Sequence, residues 1–153
     1  MKKLVALLVL AGIASASFAQ QPLKPEEMIK IRKSGYRFMS WNMGKIKANL
    51  DGNFNKDQVI AAANVVAATA NSGMGALFGP GTEKEVGDEK TRVKPEFFMP
   101  QNQDKLKEVA TNYIREANEL AKVAATGDVA AIKVQFGKTG SACKGCHDEF
   151  RKD

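Results

Sequence analysis

Both cysteines and the single histidine of the chain fall in one pentapeptide, Cys143-Lys144-Gly145-Cys146-His147. At C-x-x-C-H spacing, two thiols can each form a thioether to a haem vinyl group while the adjacent imidazole reaches the iron as an axial ligand. On a helix the three side chains lie within one turn and share a face, as that chemistry requires. The expectation is one haem c per chain, covalent through Cys143 and Cys146, with His147 on the iron. The rival readings fit less well. A thioredoxin-like dithiol expects a βαβ setting, and no stretch alternates with period two for long enough to argue a sheet. A structural disulfide leaves His147 unexplained. A zinc site would need Asp148 or Glu149 as a fourth ligand in crowded geometry.

The elements that must present this pentapeptide are helices. Prolines stand at 22, 25, 80, 95 and 100, leaving 26–79 and 101–153 free of them. Gly79, Pro80, Gly81, Gly87, Pro95 and Pro100 mark residues 79–100 as a connecting loop. A first helix is expected over 25–50. Its seam is Ile29, Arg32, Tyr36, Met39, Met43, Ile46 and Leu50, a bundle pattern broken once by a charge. A second, over 56–74, starts at an Asn55/Gln58 capping box and has the seam Val59, Ala63, Val66, Ala70. A third, over 102–125, has the seam Leu106, Ala110, Tyr113, Ala117, Leu120, Ala124. Gly127 stops it and Asp128 caps a fourth, over 128–151, with the seam Val129, Ile132, Phe136, Thr139, Cys143, Cys146, Phe150. Two tight connections and one long one make an all-α, antiparallel four-helix bundle.

At 153 residues, 44% hydrophobic and 26% charged, one globular domain is expected, and a disulfide-dense scaffold is excluded by two cysteines. Residues 1–19 read as a cleaved signal peptide, with basic Lys2 and Lys3, an apolar stretch from Leu4 to Ile13, and small residues at Ser17 and Ala19. Its loss leaves a domain at 20–153 and lowers the net charge from +6 to +4, a mild balance that gives no reason to expect nucleic acid. The expected compartment is the periplasm, with no membrane association after cleavage.

The string Phe136-Gly137-x-x-Gly140-x-x-Cys143-x-x-Cys146-His147-x-x-Phe150-Arg151 closely resembles the cytochrome c′ family, the class II c-type cytochromes. Phe78-Gly79-Pro80-Gly81-Thr82 and the opening Lys24-Pro25-Glu26 with Arg32 are similar to it as well. The resemblance spans the whole chain after the leader. It implies a five-coordinate iron held by His147, an apolar face opposite, and a homodimer, for which the stripe Met28, Ile31, Gly35, Phe38 is the expected interface.

Individual roles follow from residue chemistry and the resemblance together. Gly137, Gly140 and Gly145 are poor helix formers and read as points where backbone approaches the porphyrin. Arg32 interrupts an apolar seam and needs an anionic partner, for which a haem propionate is suited; Lys33 is expected near the same edge. The resemblance puts Tyr36 over the open side of the iron. Met39 and Met43 read as core rather than ligands. Arg151, one turn after His147, is expected beside the imidazole. Trp41 falls off the seam without a role. Two functions are compatible: one-electron transfer to an unknown redox partner, and binding of nitric oxide or carbon monoxide. The alternatives are a six-coordinate, low-spin electron carrier and a gas-scavenging or sensing protein with no electron-transfer role. An enzyme ranks last, because peroxidase-type chemistry wants a distal acid–base pair and the only histidine is taken by the iron.

Overall fold

The computed structural model describes residues 22–152; the expected leader and its cleavage site lie outside them. Helix α1 spans Pro25–Asp51, α2 Lys56–Asn71, α3 Gln103–Thr126 and α4 Val129–Phe150. Pro25 occupies the first turn of α1, where its missing N–H costs nothing, and the Glu27 carboxylate accepts from the Lys24 amide (2.9 Å). At α2, Asn55 Oδ1 accepts from the Gln58 amide (3.0 Å). The reciprocal half of the expected box is absent, because the Gln58 side chain accepts instead from Asn49 Nδ2 (3.2 Å). α2 ends at Asn71, short of the expected 74, since Gly73 (φ 79°) turns the chain into a short 3₁₀ turn at Met74–Leu77. Gly127 (φ 77°) closes α3 and Asp128 Oδ1 accepts from the Ala131 amide (3.0 Å) to open α4.

α2 packs on α1 and α3, and α3 on α4, while α1 and α4 touch only lightly. The long loop bridges that weak side. One core cluster, Ile46, Val59, Ala62, Ala63, Leu120, Ala124 and Ile132, fills the end with the two tight turns. A second, Met39, Val66, Ala70 and Ala117, continues it toward Tyr36 and Tyr113. The α1 seam is buried or half-buried throughout. On α3 the expected seam drifts: Ala110 is exposed and Val109 is buried, because the face that α3 turns inward is set by its packing against α2 and α4. On α4, Val129 is 40% exposed, and the buried line runs Ile132, Gln135, Thr139, Ala142.

Two asparagines that the pattern treats as surface are buried on α1. Asn42 Nδ2 donates to Phe38 O (2.9 Å). Asn49 Oδ1 accepts from the Asn55 amide (2.8 Å), which ties off the α1–α2 turn. The stripe expected to form an interface is half covered by the chain itself. A Cβ on Gly35 would stand 2.8 Å from Met74 Cε, and the Met28 thioether packs on Gly79. Ile31 and Phe38 are exposed, and Trp41 joins them by stacking on Phe38 (centroids 5.7 Å apart). No described helix is long and apolar enough to cross a membrane.

Candidate haem site

The rotation of α4 about its axis is set by a polar clasp. Gln135 Nε2 donates to Glu116 O (3.1 Å) and Glu116 Oε2 (2.8 Å), and Thr139 Oγ1 lies 3.1 Å from the same carbonyl. Both side chains are buried, and these bonds hold one α4 face on α3. The next turns then carry Cys143 and Cys146 beside the buried line, half-buried and as free thiols. Burial pushes both thiols up, and Cys146 pushes Cys143 further.

Two phenols, Tyr36 of α1 and Tyr113 of α3, lie near enough to the thiols for their charges to interact. Tyr36 is pushed up to about 12 by burial first and by Cys146 next, with Arg32 pulling the other way. Tyr113 is raised by burial and by Cys143. Sequence reasoning put Tyr113 on a seam without giving it a site role; its position near the thiols depends on how α3 and α4 are rotated. Its hydroxyl donates to Met39 Sδ, and Met39 and Met43 are core, as expected.

His147 is exposed on the last turn of α4. Arg151 Nη1 lies 3.4 Å from its Nδ1. Desolvation, then Arg151, hold the imidazole below its ordinary range, with Asp148 opposing; the neutral ring is the form that ligates metal. Arg92, Lys94, Asp148, Arg151 and Lys152 line a cleft beside it.

Arg32 is 4% exposed. Its Nη1 donates to Leu77 O (3.0 Å) and Thr82 Oγ1 (3.1 Å), and Nη2 to Thr91 Oγ1 (2.9 Å) and Thr82 O (3.4 Å). The guanidinium also lies over Phe78, 4.4 Å from the ring centroid. Arg32 thus holds the loop between α2 and α3, a role its place on the seam does not reveal. All these partners are neutral, and among the described residues no carboxylate pairs with it. Lys33 pairs with Glu89 Oε2 (2.7 Å) on the same loop. Tyr36 meets Phe78 edge-on (6.4 Å), and Phe78 stacks on Phe97, which meets Phe150 of α4.

These residues suit a haem. The thiols are free and share a side of α4, a neutral-leaning imidazole follows them, and α1 and α4 are only lightly in contact. Apart from the neighbouring backbone of α4 itself, nothing in the chain lies within 4 Å of where a Cβ would stand on Gly137, Gly140 or Gly145, so packing against other elements does not explain these glycines.

Fold and thiol pair together define a four-helix bundle built for covalent haem. The cytochrome c′ family model matches residues 27–151, so the chain belongs to the cytochrome c′ family. It is 58% identical over 144 residues to cytochrome c′ of Allochromatium vinosum, covering 94% of this chain and 92% of that protein. A solved cytochrome c′ described by its ligand-controlled dimer dissociation is 60% identical and superimposes with a TM-score of 0.83, covering 86% of this chain and 98% of that one. The nitric oxide complex of a variant cytochrome c prime from Alcaligenes xylosoxidans is 28% identical, with a TM-score of 0.72 and coverage of 85% and 97%. The family binds haem c, and Cys143 and Cys146 fit its covalent attachment.

Proposed function

We propose that this protein is a periplasmic haem protein with a five-coordinate iron held by His147, which binds nitric oxide or carbon monoxide on the opposite side and passes single electrons. The haem supplies an iron that changes oxidation state and has an open coordination position. The observation that carries the reading is the wall near the thiols. Tyr36 and Tyr113 stand there, backed by Met39, Met43, Val66, Ala70 and Ala117, and the Met39 sulfur already accepts the Tyr113 hydroxyl. That wall offers no imidazole; the Met39 thioether is committed to Tyr113 and Met43 packs between the two core clusters, which speaks against a six-coordinate electron carrier. It also holds no histidine for acid–base work, so the protein acts by binding and electron transfer rather than as an enzyme.

Arg32 is a buried cation whose protein partners are all neutral, and a haem propionate supplies the missing negative charge. Lys33, paired with Glu89, adds to the same edge only from outside. Tyr36 shields the open side of the iron, and Arg151 biases the imidazole toward its neutral form. The exposed Ile31, Phe38 and Trp41 form the contact of a homodimer, in keeping with the dimer named for the 60% identical relative.

The test is the optical spectrum of purified holoprotein, with its mass. One haem should remain bound through acid–acetone extraction, on a chain beginning at Gln20. The spectrum should be high-spin and change on adding nitric oxide. A low-spin spectrum indifferent to the gas would overturn the five-coordinate reading.

A further inference from the structure

A helix leaves its last four carbonyls without partners inside the helix. On α4 these are the carbonyls of 147–150, the turn that carries His147. All four are satisfied. The Arg151 amide donates to His147 O (3.0 Å). Lys94 supplies the other three: its Nζ donates to Asp148 O (3.0 Å) and Glu149 O (3.2 Å), and its amide donates to Phe150 O (2.8 Å). The ammonium also sits at the negative end of the helix dipole.

Lys94 is itself held in place. Val93 is buried and bridges to Arg151, its amide donates to Thr91 Oγ1 (3.3 Å), and that hydroxyl accepts from Arg32. Pro95 follows and opens a 3₁₀ turn whose Phe97 packs on Phe150. A continuous set of contacts therefore runs from Arg32 of α1, through Thr91 and Val93, to the last turn of α4. Water could satisfy the same carbonyls, but water is not anchored to the core and would let the turn fray.

We propose that Lys94 is the positioning residue of the axial-ligand turn: its ammonium and amide hold residues 147–150 helical and so fix the direction of the His147 side chain toward the iron. The proposal rests on the reading of His147 as the iron ligand. Arg92 provides the control. It lines the same cleft and carries the same charge, yet its side chain makes no bond to an α4 carbonyl.

The experiment uses holoprotein and two readouts: hydrogen exchange at the Arg151 amide, and the iron–histidine stretching band of the ferrous form. Lys94→Met should speed Arg151 exchange at least about tenfold, the worth of one charge-assisted hydrogen bond, and shift or broaden the band. Lys94→Arg should recover much of both, and Arg92→Met should leave the Arg151 exchange rate at its parental value. Parental exchange and band in Lys94→Met, or an equal change of the exchange rate in Arg92→Met, would overturn the proposal. Should Lys94→Met fail to yield holoprotein, Lys94→Gln takes its place under the same criteria. If the parent itself shows no iron–histidine band, the ligand reading fails, while the exchange rates still decide whether Lys94 holds the turn.

Discussion

Replacing Arg32 by methionine removes the charge and the donors but keeps an unbranched stem of similar length over the Phe78 ring. The parent guanidinium makes three good hydrogen bonds, at 2.9, 3.0 and 3.1 Å, and one long one at 3.4 Å. Not all of these acceptors are stranded when it goes. Thr82 Oγ1 still donates to Gly79 O (2.8 Å), and Thr91 Oγ1 still accepts from the Val93 amide. Leu77 O and Thr82 O lose their side-chain partner, at roughly 1–3 kcal/mol for each acceptor left buried without one. Loss of the cation over the Phe78 ring adds about 1 kcal/mol. Against this stands the relief of a desolvation penalty, seen in the lowered proton affinity of the guanidinium. A net destabilisation of about 3 kcal/mol follows from these terms, and loss of the propionate pairing proposed for Arg32 adds to it in the holoprotein. Chemical denaturation of the holoprotein, followed by circular dichroism, measures it, and hydrogen exchange should localise the loosening to residues 77–93. Arg32→Lys should recover less than half, since an ammonium cannot present four N–H groups in one plane. A loss below about 1 kcal/mol in Arg32→Met, with loop exchange unchanged, would show that the loop is held by its own turns and would refute the reasoning.

Tyr36→Ala opens the wall near the thiols while leaving His147 in place, so ferrous carbon monoxide binding should become faster and tighter with the ferric high-spin spectrum retained; parental kinetics would remove Tyr36 from the ligand path. Phe38→Lys places a charge amid Ile31, Phe38 and Trp41. It should weaken the dimer by about a thousandfold by light scattering or sedimentation, because a two-fold interface loses the apolar contact twice; an undiminished dimer would move the interface off α1.

The helix boundaries were legible because their signals are local. Pro25, Asn55, Gly127 and Asp128 each act within a turn of where they stand, and the observed helices begin and end within three residues of the expectation. The covalent attachment was legible for the same reason, since Cys143 and Cys146 stand within one helical turn of each other. The seams were legible where apolar residues repeat cleanly, as on α1. They failed where rotation about the helix axis is set by a partner: Val109 replaces Ala110 on α3, and the Gln135–Thr139 clasp to Glu116 turns α4 so that the cysteines flank the buried line. The surroundings of the site were not legible at all. Arg32 announces a buried charge, but its acceptors at 77, 82 and 91 lie on a loop with no periodicity to read, and Lys94 gives no local hint that it closes a helix more than fifty residues away. Local spacing carries which side chains share a turn. Which carbonyl each distant donor meets depends on the path of the long loop across α1 and α4, and that path is settled only when the helices have packed.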